Sequence, residues 1–391
     1  MRIGMFSETF LPQVNGVVTS ICTMGNALAG RGHEIKVFTS GGGLRRTAHE
    51  RVGRFDVYRL GGFNFRPYPG YKVPLPTSGK WVFLLKNAGD LDVLHTRGPV
   101  AMGLLAKRLS QKLRIPIVGT FDTPLSQYVK HYIPLAGRVK PSRYLLSKLA
   151  DRYSIWFYNR CSAVVAPSGV TAGWLRRMGC RKEIRVISNG VDIKKYSTRN
   201  RSAAVRNRFC PGDEFFILHV GRIAKEKNVD VLLRAACSLK KSGARFRLVV
   251  AGEGPAKSGL AGLAKRLGLD DCVVFAGFVG EDELPKYYAS ADAFVTASTV
   301  ETEGIVLLEA MASGLPVVGA NAGAIPELVK HGENGLLFGP GGHETLSTLL
   351  ETAMNDAKLR RGMGRSSREL AEGYSIEKSA EKTEKLYKDV V

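Results

Sequence analysis

Glu301-Thr302-Glu303-Gly304-Ile305-Val306-Leu307-Leu308-Glu309, continued by Ala310-Met311-Ala312-Ser313-Gly314-Leu315-Pro316-Val317-Val318, says more about this chain than any other stretch. Two carboxylates stand eight residues apart. The first falls in a turn and the second on a helix that an apolar run prolongs until Gly314 and Pro316 stop it, with a short strand following. Gly304 lets backbone approach a ligand closely, and the free amides of Ile305 and Val306, at the positive end of the helix dipole, suit a pyrophosphate. Glu301 can accept hydrogen bonds from sugar hydroxyls, and Glu309, about a turn further on, is within reach of a ribose diol. An anion cradle with two hydroxyl acceptors describes a sugar nucleotide. The apolar residues alone would also make an ordinary core helix, and its dipole favours glutamates near its start anyway, so the flanking segments decide.

Outward from this stretch, short β-rich runs alternate with helical patterns, which predicts an α/β chain of doubly wound parallel sheets. In the first half, strands are expected at Ile3–Phe6, Ile35–Phe38, Val93–His95, Ile117–Gly119 and Ala163–Ala166, and helices at Val18–Ala29, Val100–Leu113 and Thr171–Met178. The series restarts with strands at Phe215–Val220, Phe246–Ala251, Val273–Phe275, Ala293–Thr296 and Val317–Val318. At 391 residues the chain suits two domains of about 190 each. The polar, basic stretch from Lys194 to Gly212 is the expected linker, giving domains 1–200 and 201–374 with a terminal segment 375–391.

Ligands of such sheets bind at the carboxyl ends of the strands. There stand Pro12-Gln13-Val14-Asn15-Gly16, His219-Val220-Gly221-Arg222-Ile223-Ala224-Lys225-Glu226-Lys227-Asn228, Ala251-Gly252-Glu253-Gly254-Pro255 and Gly277-Phe278-Val279-Gly280. In order and spacing these blocks, with Glu301–Glu309, resemble the retaining, metal-independent glycosyltransferases of the GT-B fold. These are built from two facing Rossmann-like domains and belong to the Glu-x7-Glu branch (glycosyltransferase family 4). The resemblance runs from Arg2-Ile3-Gly4-Met5-Phe6 to Ile325-Pro326-Glu327 and Asn334-Gly335.

The resemblance implies a role for each block. Arg222 and Lys227 would neutralise the leaving diphosphate, a task that falls to fixed cations and a helix terminus where no metal takes part. Gly16, Gly221 and Gly252 would line the donor, Val279 would read the nucleobase through its backbone, and Glu301 would orient the sugar. Gly304, Ile305, Val306 and Glu309 complete the donor site. No cofactor beyond a UDP- or GDP-linked co-substrate is implied, and Ile376–Val390 is expected to return to the first domain. The look is closest to the diacylglycerol and phosphatidylinositol glycosyltransferases. One departure matters: Gly119-Thr120-Phe121-Asp122-Thr123 has Asp122 where close relatives usually carry a histidine. A carboxylate there can accept from a sugar hydroxyl or act as a base towards an acceptor alcohol, so Asp122 joins the candidate catalytic residues. It could equally mark a changed donor or a lost activity, and His131 stands nearby as a possible substitute. Arg97 likewise replaces a frequent histidine and fits an anionic acceptor.

Charge is the second signal. Residues 1–200 hold 32 Lys and Arg against 10 Asp and Glu, whereas residues 201–391 hold 25 against 25. Such asymmetry predicts an anionic partner for the first domain, either nucleic acid or an acidic membrane. No nucleic-acid signature is present, which favours the membrane. No apolar run is long enough to span a bilayer and Glu8 follows the first strand closely, so peripheral contact on the cytoplasmic face is expected. Phe63–Lys72 and Arg138–Arg160 mix aromatics with cations and could meet the bilayer, with Trp156 and Phe157 among the apolar candidates. Cys22, Cys161, Cys180, Cys210, Cys237 and Cys272 show no zinc spacing. Asp90-Leu91-Asp92 precedes a strand and reads as a solvated turn rather than a metal site. Together these readings predict transfer of a hexose to a membrane lipid or lipid-linked acceptor. A soluble sugar or polysaccharide precursor as acceptor, or a sugar-nucleotide epimerase or hydrolase of the same fold, are the alternatives.

Overall fold

The computed structural model describes residues 1–41, 43, 47–64, 72–74, 77–127 and 140–391. His131 and residues 65–71 of the first aromatic stretch lie outside them. The chain divides into two compact units, Met1–Gly190 with Ile376–Val391, and Val191–Ser375. The division at Gly190 precedes the expected linker. Residues 194–212 fold into the second unit, where Tyr196, Val205 and Phe209 are buried and Ala203–Phe209 is helical.

The first unit holds β1 (Arg2–Ser7), β2 (Glu34–Ser40), β3 (Thr47–Val52), β4 (Phe55–Leu60), β5 (Gly62–Asn64), β6 (Lys72–Pro74), β7 (Val93–Thr96), β8 (Ile117–Thr120), β9 (Ala163–Ala166) and β10 (Ile184–Val186). Its main sheet runs β10-β9-β8-β7-β1-β2-β4-β3, parallel except where β3 lies antiparallel to β4. β1, β7, β8 and β9 are buried along nearly their whole length, as expected of strands covered by helices on both faces. β3 is exposed and carries His49, Glu50 and Arg51, which blunt this sheet edge against pairing with another chain. The helices Gly16–Gly30 and Ala101–Leu113 follow β1 and β7. The C-terminal helix Ile376–Val390 packs on Gly16–Gly30, burying Ala380, Leu386 and Tyr387 in the core with Ile21 and Met24. Tyr387 Oη lies 2.5 Å from His95 Nδ1 on β7, and His95 Nε2 lies 2.6 Å from Thr120 Oγ1. Burial, then the Arg97 charge, lowers the His95 pKa to about 3, so this histidine is neutral and serves packing. Asp90 accepts from Lys36 Nζ at 2.8 Å and Asp92 from the Arg2 amide, so the Asp90–Asp92 turn ties β1 and β2 to the start of β7.

The second unit holds β11 (Phe215–Val220), β12 (Phe246–Ala251), β13 (Val273–Gly277), β14 (Ala293–Thr296), β15 (Val317–Ala320) and β16 (Gly335–Phe338) in an all-parallel sheet ordered β13-β12-β11-β14-β15-β16. In each unit the winding reverses beside the first strand, between β1 and β7 and between β11 and β14. The loops leaving those strands open a crevice there, which is where sheets of this kind bind ligands.

Candidate functional site

In the second unit the loop after β11 meets the loop after β14. Lys227, in the 3₁₀ turn Lys225–Lys227, places Nζ 2.5 Å from Glu301 Oε1. Asn228 fixes that approach: in a left-handed conformation (φ 50°), it donates from Nδ2 to the Ala297 carbonyl at 3.1 Å. The Glu301 carbonyl in turn accepts from the Ala324 amide at 2.9 Å. Burial opposes the charge of Glu301, but Lys227 outweighs it and holds the carboxyl below the usual range. The pair is therefore an ionised carboxylate and an ammonium at the crevice mouth.

Gly304 adopts φ 98° and begins the helix Ile305–Ala312. The first bonds of this helix run from the Leu307 and Leu308 amides to the Gly304 carbonyl, so the Ile305 and Val306 amides have no acceptor within the helix. Gly221 and Gly252 end β11 and β12 in close contact. The Gly221 amide donates to Ala251, the Gly252 amide donates to Gly277 at 2.7 Å, and a Cβ on Gly252 would overlap the Gly221 carbonyl oxygen. Arg222 follows Gly221, half-buried, and the Ala224 amide donates to its carbonyl. Val279 is half-buried against the second unit's core. Arg222, Lys227, Glu301, Gly304, Ile305 and Val306 thus all lie on loops or the helix start at the carboxyl edge of one sheet.

Glu309 has other partners. It sits inside the helix, 5 % exposed, accepting from Tyr288 Oη at 2.9 Å, with Tyr196 as a further hydrogen-bonding neighbour. Burial raises its pKa to about 7, against the lowering pull of both tyrosines. A carboxyl whose folded pKa exceeds its unfolded value binds more protons when folded, so stability falls as pH rises from about 4.5 to about 7. In Glu309→Gln the part of the pH dependence owed to this group is lost, and a difference plot of melting temperature against pH for parent and variant checks it.

In the first unit, Gly16 is the exposed first residue of its helix, capped by Asn15 Oδ1, which accepts from the Val18 amide at 3.0 Å. Asp122 and Arg97, two separate departures from the family pattern, form one buried ion pair: both carboxylate oxygens lie 2.8 Å from the guanidinium, with side chains 8 % and 6 % exposed. Arg97 Nη2 also donates to Ser20 Oγ and Asn189 Oδ1, each at 2.7 Å. Burial pushes the Asp122 carboxyl up despite Arg97.

Two buried groups escaped the sequence reading. Glu8, at the end of β1, accepts from the Met102 amide at 2.9 Å and so covers the start of helix Ala101–Leu113, while burial raises its pKa to about 7. His219 binds the Val295 carbonyl through Nδ1 at 2.9 Å, tying β11 to β14. Burial lowers its pKa to about 4, so the ring is neutral and Nδ1 is the donor. A polar residue at the carboxyl end of an otherwise apolar strand is the signal for both.

Two parallel-sheet Rossmann-like units with this glycine-lined, cation-bearing edge define a glycosyltransferase of the GT-B class. Residues 14–195 match the Glycosyltransferase Family 4 model and residues 201–370 match Glycosyl transferases group 1. The alpha-monoglucosyldiacylglycerol synthase of Streptococcus pneumoniae is 31 % identical over 361 residues, covering 90 % of this chain and 78 % of that one. The enzyme of the same name from Acholeplasma laidlawii is 28 % identical, covering 100 % and 98 %. The Anabaena protein Alr3699/HepE, solved with UDP-glucose, shares the fold at a TM-score of 0.79 and 21 % identity over the full length of both chains. The chain belongs to glycosyltransferase family 4. Among the described residues no helix is long and apolar enough to cross a membrane.

Proposed function

We propose that this glycosyltransferase moves a hexose from a UDP- or GDP-sugar to a membrane lipid or lipid-linked acceptor, with retained anomeric configuration, at the cytoplasmic face of a membrane. The observation that carries the donor half is the Lys227–Glu301 pair between β11 and β14, on the same sheet edge as Arg222 and the Ile305 and Val306 amides at the helix start. Two cations and a helix start stabilise the departing diphosphate as its charge develops. Glu301, ionised by its contact with Lys227, accepts from the sugar hydroxyls and fixes the ring. The acceptor hydroxyl oxygen bonds to the anomeric carbon as the carbon–phosphate oxygen bond breaks, and a leaving phosphate oxygen takes the hydroxyl proton. The acceptor half is supported by the names of the relatives, alpha-monoglucosyldiacylglycerol synthases, and by the basic first unit, which holds 33 Lys and Arg against 13 Asp and Glu.

The test is nucleotide release from a panel of UDP- and GDP-sugars, with and without anionic liposomes, alongside analysis of the lipid. Release that requires liposomes and yields a glycolipid is expected. Equal release without lipid would replace this reading by a soluble acceptor or a hydrolase.

A further inference from the structure

Helix Lys140–Tyr158 buries Ser147, Ser154, Ile155, Phe157 and Tyr158 against the first unit. Phe157, expected from the sequence to meet a bilayer, is wholly buried and belongs to the core. The opposite side is apolar as well. Leu145 (58 % exposed), Leu149 (50 %), Arg152 and Trp156 (40 %) succeed one another at helical spacing along a stripe about 16 Å long, flanked by Tyr144 (65 %) and Leu146. Single exposed leucines are ordinary, but a group of this kind on one helix marks an interaction surface. Cations hold its aromatics: Lys148 Nζ lies 4.5 Å from the Tyr144 ring centre, and Arg160 and Lys107 stand 4.6 Å and 5.1 Å from that of Trp156. Asp151, half-buried, is the one acid in the helix against Lys140, Arg143, Lys148 and Arg152.

We propose that this stripe is the docking surface for an anionic membrane, with Leu145, Leu149 and Trp156 entering the headgroup boundary and Lys148, Arg152 and Arg160 meeting lipid phosphates. Charge complementarity selects this occupant. A second copy of the chain would bring the same cationic face against itself, whereas an acidic bilayer satisfies the leucines and the cations together. The inference takes its purpose from the lipid-acceptor reading, yet its test needs neither donor nor acceptor.

The experiment is co-sedimentation of the full chain with phosphatidylcholine vesicles, with and without phosphatidylglycerol. Parent protein is expected to bind the anionic vesicles at least tenfold more tightly. Leu145→Ser/Leu149→Ser/Trp156→Ser, all exposed positions, keeps the melting temperature and loses most of that binding. Lys148→Gln/Arg152→Gln/Arg160→Gln loses the anionic preference, at roughly fivefold per cation. Parent-like binding by the serine variant overturns the proposal, as does a parent dimer that this variant dissolves. Vesicle binding without any lipid product would overturn the acceptor reading alone. Product from detergent-dispersed lipid without vesicle binding would overturn the docking surface alone.

Discussion

Replacing Lys227 by alanine lowers turnover by roughly 10²- to 10³-fold, the scale on which one stabilising group at a developing charge acts, and it also changes how the rate depends on pH. In the proposed reaction the ammonium faces the departing diphosphate, so its loss leaves that charge less compensated in the transition state. The same nitrogen lies 2.5 Å from Glu301 Oε1 and is the principal influence lowering the pKa of a carboxyl that burial would raise. In the parent, Glu301 is ionised throughout the neutral range and contributes no change of rate there. Without Lys227, burial dominates and the pKa rises, so the residual rate falls as pH drops towards it. Lys227→Arg keeps the charge and is expected to restore the flat profile even where turnover recovers only in part. Steady-state rates at saturating donor between about pH 5 and pH 8 measure both effects. Turnover of Lys227→Ala within a few-fold of the parent would remove Lys227 from the proposed machinery.

The partnership of Lys227 and Glu301 shows where sequence legibility ends. Ile3–Phe6, Ile117–Gly119 and Phe215–Val220 are readable as strands because burial on both faces demands nearly continuous apolar runs. β3 is charged and exposed, β10 has three residues and β16 begins at a glycine, so none carries that signal. Residues 194–212 resemble a linker because their charges are exposed while Tyr196, Val205 and Phe209, too widely spaced to show a period, supply the buried side. At the site, each glycine-bearing loop is visible as a turn after a strand. That Lys227 meets Glu301 follows from β11 lying beside β14 with β12 and β13 on its other side. Alternation of strand and helix implies a parallel sheet without fixing its order. Glu309 is legible by spacing alone, and its tyrosine partners come from elements that the spacing does not relate to it.

Removing either member of the Arg97–Asp122 pair destabilises the first unit by about 3–5 kcal/mol, because the other is left as a buried charge without its counter-ion. For a unit of this size that corresponds to a fall in melting temperature of roughly 6–20 °C. Arg97→Met/Asp122→Leu removes both charges and is expected to regain most of the loss. Ser20 Oγ, which already donates to Asn189 Oδ1 at 2.5 Å, then partners that residue without the guanidinium. Calorimetry on the parent, the two single variants and the double variant gives the coupling directly, and additive losses would show that the ion pair holds nothing. Turnover of the stable double variant separates a structural role of Asp122 from a catalytic one. A carboxylate whose oxygens both lie 2.8 Å from one guanidinium is well placed to hold the loops after β7 and β8. If that is its whole contribution, transfer returns with stability. If the carboxylate also receives a hydroxyl of donor or acceptor, the double variant folds and transfers nothing, and Asp122 takes the place of the histidine its relatives use.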